Sequence, residues 1–192
     1  MQLSTKPTPV NIEIKLDPKR YIVSKTDKFG VITYANQYFA KICGYDIDEL
    51  IGLPHNIIRH PDMPKVIFKL MWERIQSNKN IVAVIKNLAK DGKYYWVITD
   101  FETKLDPNTK LPIQYTAYRK AAPKEAVDKI SVLYEELLEE EKRNGIEGSE
   151  ALLKEILKQK KMSYDDYIEE ITGKNKGIIK AFFDLMKKMY KN

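Results

Sequence analysis

Residues 81–120 read "IVAVIKNLAKDGKYYWVITDFETKLDPNTKLPIQYTAYRK", and no other stretch limits the fold so strongly. Three β-branched and aromatic runs are separated by KDG and DPNTK, both rich in turn-forming residues. Runs joined by such short turns pair side by side in opposite directions, because parallel neighbours need a crossover of about a dozen residues. A three-strand antiparallel meander is therefore predicted. Upstream, "RYIVSKTD" and "VITYAN" supply two more strand-like runs around the turn "DKFG". Between the two strand groups, "QYFAKICGY" and "DIDELIG" read as short helical turns, each ended near a glycine. "DMPKVIFKLMWERIQSN" follows with Val66, Ile67, Leu70, Met71 and Ile75 at helical spacing, and Asp62 is placed to cap its start. The order predicts an α+β domain over residues 20–120, a five-stranded antiparallel sheet with its helices on one face. Residues 1–19 form an N-terminal extension.

From residue 121 the period changes to that of helices, and an all-helical region of about four helices is predicted to run to residue 192. Ile130, Leu133, Tyr134, Leu137 and Leu138 make a stripe that runs to a stop at "RNG". Ser149 is positioned to cap the next helix, and Ser163 with Asp166 has the spacing of a capping box. Gly173 and Gly177 bracket a break before "IIKAFFDLMKKMY". That last segment is too apolar to stand alone, so it packs on the other tail helices or covers a partner, with internal packing the expectation.

Composition narrows the function. A chain that is 43% hydrophobic and 31% charged can bury a core. No apolar run approaches the ~20 residues of a membrane span, and the start lacks the apolar core of a signal peptide. The lone Cys43 excludes an internal disulfide framework. A cytoplasmic protein is the expectation. The net charge of +6 comes from lysines scattered through the first 120 residues, with no arginine-rich run, so a nucleic-acid partner is not expected.

Both histidines lie in "PHNIIRHPDMP", residues 54–64. His55 and His60 are five apart, off the i,i+4 spacing of a helical ligand pair, and the prolines argue against a helix there. No Gly-rich phosphate loop, GxSxG or HExxH is present, and no nucleophile accompanies the histidines, so neither a catalytic set nor a metal site is expected. A cofactor pocket between sheet and long helix fits better: Trp72, Tyr95 and Trp96 offer rings, Asn87 an amide, and Arg59 a fork for phosphate or carboxylate. For each of these a purely structural role remains open.

The stretch from "GVITYANQYFAKICGY" through "PHNIIRHPDMP" and "MW" to "KDGKYYWV" resembles the PAS domain of aerotaxis receptors of the Aer type, over roughly residues 20–120. The architecture as a whole is similar to soluble energy-taxis PAS proteins of the CetB type. The resemblance implies non-covalently bound FAD, read as a redox signal, and a membrane-bound chemoreceptor or its HAMP and signalling region as partner. It carries flavin contacts onto Arg59, His60 and Asp62 of "RHPD", onto Trp72 and Asn87, and onto Tyr95 and Trp96; His55 is the further candidate. Leu88 and Ala89 stand where the family commonly has basic residues. Cys43 lies outside the loop where a light-sensing LOV domain needs its cysteine. A sensor rather than an enzyme is thus expected. A haem PAS domain ligated by His55 or His60, and a cofactor-free interaction or dimerisation module, are the alternatives. A homodimer through the PAS domain or the tail also stays open.

Overall fold

A computed structural model describes residues 6–173 and 178–190. Its centre is one antiparallel sheet of five strands: β1 (Ile22–Asp27), β2 (Ile32–Ala35), β3 (Val82–Leu88), β4 (Tyr94–Leu105) and β5 (Pro112–Ala121), in the order β2-β1-β5-β4-β3. The meander therefore pairs as its turns require, and the first hairpin joins it through β1 and β5, both central. In the "DKFG" turn Asp27 Oδ1 accepts from the amides of Phe29 and Val31, and Gly30 takes the positive φ.

Helices α1 (Gln37–Cys43), α2 (Ile47–Leu50) and α3 (Lys65–Gln76), with a 3-10 helix at His55–Ile58, lie between β2 and β3 in the chain. Asn36 caps α1 by accepting from the Phe39 amide, and it also accepts from Val23 of β1, so one side chain starts the helix and ties it to the sheet. The extension runs along the β3–β4 hairpin, where Ile14 donates to Tyr94 and Tyr94 to Ile12. Gly92 is required there, because a Cβ would lie 2.3 Å from the Thr8 carbonyl oxygen.

The start of α3 departs from expectation. Asp62 does not cap it: its carboxylate binds Lys86 Nζ at 2.6 Å, and the helix begins after Pro64. The free amides of Lys65 and Val66 are taken instead by Glu141, from the tail. A carboxylate delivered by packing replaces the local cap, since Asp62 lies two residues before the Pro64 cap position and already has a cation.

The tail holds α4 (Lys124–Gln159), α5 (Tyr164–Thr172) and α6 (Ile178–Met189). Gly145, with φ 74° and ψ −170°, ends the first helical half of α4 at the expected "RNG" stop, and a second helix follows it. The second half folds back so far that Ser149, expected as a cap, is buried inside the helix and donates to the Leu137 carbonyl 3.0 Å away. Ser163 and Asp166 do form their capping box at the start of α5. Gly173 follows α5, while Gly177 falls outside the described residues. Helices α4 and α5 pack into the main core beside α3, and the Tyr134 hydroxyl donates to the Val84 carbonyl of β3 at 2.8 Å, covering the open edge of the sheet.

Helix α6 leaves its neighbours in the tail. Phe183 and Met186 are buried against Val23, Ile98 and Tyr118 on the far face of the sheet, rather than on other tail helices as expected. Alternation explains this, because those three sheet residues point away from the helical layer and need a cover of their own. No helix among the described residues is long and apolar enough to cross a membrane.

Candidate functional site

A cavity of about 320 Å³ lies between the inner face of the sheet and the helical layer, within the size range of small-molecule sites. Strand alternation sets its floor. Ser24 and Thr26 of β1, Ala117 and Arg119 of β5, Thr99 and Phe101 of β4, and Ile85 and Asn87 of β3 all face inward. Helix α3 provides the opposite wall with Phe68, Met71, Trp72 and Ile75, while His55, Asn56, Ile58 and Arg59 close one side.

Trp72 is wedged in place. Its ring meets Tyr115 edge-on, centroids 5.5 Å apart, and its edge reaches the Gly30 turn. A Cβ on Gly30 would sit 3.1 Å from Trp72 Cζ2, and its φ of +83° strains any other residue. Gly30→Ala should lower Tm by about 2–8 °C, from the ~1–2 kcal/mol of left-handed strain and the few degrees each kcal/mol moves a chain this long. A thermal melt unchanged by the substitution would contradict that packing.

Arg59 lies over Phe68, its Cζ 3.6 Å from the ring centre, while its backbone bridges to Asn87. Four buried polar atoms around this region lack partners: Arg59 Nε, Asn87 Nδ2, Thr99 Oγ1 and the Tyr95 hydroxyl. Buried donors of this kind are costly without a partner. A ligand with a flat ring and hydrogen-bonding edges would satisfy those that line the cavity and fill the space between Trp72 and the sheet.

Of the residues singled out in the sequence, Arg59, Trp72, Asn87 and His55 line the cavity. Tyr95 points to the same face as its cross-strand partner Asn87 but is buried beyond the lining, and burial pushes its hydroxyl pKa well up. Trp96 is the next residue along β4 and faces the opposite way. His60 is buried outside the lining and accepts from the Asp62 amide through Nδ1. Burial and the nearby Lys86 lower its pKa to about 4, so it is neutral near pH 7. Asp62 is exposed and paired with Lys86. Cys43 is fully buried away from the lining, its thiol pushed up to about 11 by burial.

Sequence reading missed Ser24, Thr99, Tyr115 and Arg119. The signal was parity: in "QYTAYRK" the positions 115, 117 and 119 fall on one face, and an arginine there cannot reach solvent unless the sheet is open.

The PAS fold family matches residues 32–114. Over 76 residues the chain is 43% identical to the aerotaxis receptor of Escherichia coli K12, a stretch that covers 40% of this chain and 15% of that protein. Over 134 residues it is 30% identical to the nitrogen fixation regulatory protein of Klebsiella pneumoniae, covering 70% of this chain and 25% of that one. The chain thus spans a quarter or less of these curated relatives. Among solved structures, the dark structure of the blue-light photoreceptor Aureochrome1 LOV aligns with a TM-score of 0.51 at 18% identity, covering 60% of this chain and 85% of that one. This last likeness concerns the fold alone.

Proposed function

Because the chain carries a PAS domain, we infer that it is a redox sensor that binds FAD in the cavity and reports its oxidation state to a chemoreceptor partner. The observation that carries this reading is the cavity itself, with aromatic walls from Trp72, Phe68 and Tyr115 and unpartnered buried donors on Asn87 and Arg59. Those groups suit a planar heterocycle with polar edges, and the resemblance to aerotaxis receptors supplies its identity. In this reading Trp72 and Tyr115 hold the ring, Asn87 offers its amide to a ring edge, and Arg59 faces a phosphate or another anionic group. When bound, a flavin supplies reversible electron uptake that changes the charge and hydrogen bonding of its ring.

Two elements are built to carry such a change outward. On β4, Thr99 and Phe101 line the cavity while Ile98 and Asp100, on the other face, hold α6. Helix α3 carries Trp72, and its start is capped by Glu141 of α4. The output can be no larger than the difference in ligand interaction energy between two arrangements, and ~1.4 kcal/mol shifts their ratio tenfold.

The absorption spectrum of freshly purified protein tests the cofactor. The expected result is a yellow protein whose bands bleach on reduction. An intense Soret band would replace this reading with haem, and a colourless protein with no releasable chromophore would replace it with an interaction module. Haem has an obstacle in this geometry: His55 Nε2 already lies 2.9 Å from Arg119 Nη2, and His60 is outside the lining. For the signalling route, hydrogen exchange is expected to differ between oxidised and reduced protein in α4 or α6. Equal exchange in both helices would eliminate it.

A further inference from the structure

Ser24, His55 and Arg119 come together on the cavity wall from three distant parts of the chain. Arg119 is 4% exposed; its Nη1 donates to Ser24 Oγ at 3.0 Å and its Nη2 lies 2.9 Å from His55 Nε2. A guanidinium only donates, so Nε2 is the acceptor and the imidazole proton sits on Nδ1. Ser24 Oγ is also 3.1 Å from that Nε2, with its own hydrogen left to donate there. Both polar partners of Arg119 are therefore neutral. Burial and the neighbouring Arg119 hold the His55 pKa well below its usual value, while the Arg119 pKa falls only to about 10, leaving it charged near neutral pH.

A buried cation is expensive unless an anion faces it. Among the described residues none of the ion pairs includes Arg119; the one ionisable neighbour favouring its charge is the Tyr95 phenol, itself kept neutral by burial. Its Cζ is 5.9 Å from the Phe39 ring, a modest compensation. The guanidinium has five N–H donors, and Ser24 and His55 take two. Beside it, its cross-strand partner Thr99 also carries an unpartnered hydroxyl. The wall thus presents a preorganised cation that no carboxylate among the described residues neutralises.

We propose that Arg119, positioned by Ser24 and His55, is the counter-ion for the negative charge of the reduced cofactor, so that the cavity holds reduced flavin more tightly than oxidised flavin. This rests on the flavin reading above. Two electrons and one proton convert the oxidised ring to its reduced anion: the proton goes to ring nitrogen N5, and the negative charge is left over N1 and the adjoining carbonyl. The cation is in place before that charge arises, so it favours the reduced state without having to move. His55, held neutral, orients the guanidinium without adding a second positive charge.

The test measures midpoint potentials of the full chain loaded with FAD or with riboflavin, reduced by dithionite against a reference dye. Arg119→Met is expected to cut the preference for reduced over oxidised flavin at least tenfold, a fall of about 30 mV for a two-electron couple. Arg119→Lys should keep most of it. Riboflavin must show the same shift, because it has no phosphate. A shift with FAD alone would assign Arg119 to a phosphate and overturn the proposal, as would an unchanged potential in folded, flavin-loaded Arg119→Met. A measurement on the wild type needs no variant. Its reduced flavin should keep the spectrum of the anion at a pH low enough to protonate free reduced flavin, and a neutral spectrum there overturns the proposal. A wild-type chain that takes up no flavin overturns both readings, whereas the other failures leave the flavin reading standing.

Discussion

Replacing Phe183 by alanine is expected to free α6 from the sheet while the strands beneath it stay folded. Phe183 is 1% exposed and sits at the centre of a small cluster with Val23, Ile98, Tyr118 and Met186 that is separate from the main core. Truncating a buried phenylalanine costs about 3–5 kcal/mol, more than the remaining contacts of so short a helix can be expected to replace. Those contacts include buried Met186, the Tyr21–Phe182 ring pair, with centroids 5.1 Å apart, Lys120 over Phe182, and the Lys187–Asp100 ion pair at 2.6 Å. Hydrogen exchange would show it: protection of residues 178–189 should collapse while β4 and β5 keep theirs. Full protection of α6 in the variant would mean that something other than this cluster holds it.

The burial of Asp100, the partner of Lys187, gives the fold a pH dependence of definite sign. Asp100 is 1% exposed, and burial raises its carboxyl pKa although Lys187 and Asn80 pull it down. An acid whose pKa is raised by folding binds its proton more tightly in the folded state than in the unfolded chain. Its contribution to stability is therefore fully present below the usual carboxylate range and is lost as pH rises through the raised value. Thermal stability should fall between mildly acidic and neutral pH, and Asp100→Asn should flatten that trend.

Trp72→Ala carries the largest expected effect on ligand binding. Stacking of a flat heterocycle on an aromatic ring is worth about 1–3 kcal/mol, so flavin affinity should fall about five- to 150-fold. Losing the indole also removes the support of Tyr115 and of the Gly30 turn, so titrations must be paired with a melt. FAD and riboflavin should weaken together, because Trp72 serves the ring. Arg59→Ala should weaken FAD alone if its guanidinium meets a phosphate. Unchanged flavin affinity in folded Trp72→Ala would move the ring out of this cavity.

These predictions draw unequally on what the chain makes visible. The five strands, their antiparallel pairing and the Ser163–Asp166 box were legible, because each depends on residues within a few positions of one another. The aromatic and amide character of the cavity was half legible. Trp72 and Asn87 stood out by residue type, yet Tyr95 and Trp96, adjacent and equally conspicuous, were parted by the pleat and neither reaches the lining. Asp62 looked like a cap because it preceded a helix, but Lys86, 24 residues away, claims its carboxylate and Glu141 takes its place.

Local order along the chain was thus enough to set which segments become strands and helices, since hydrogen-bonding period and turn chemistry act over a few residues. Packing alone decided what each face meets. The helix after Gly145 folds back until Ser149 meets the Leu137 carbonyl, α6 crosses to the far side of the sheet, and Arg119 finds Ser24 at a separation of 95 residues and His55 at 64. A side chain's direction follows from its own strand, but the charge or cavity opposite it comes from elements whose distance in sequence carries no information about their distance in space.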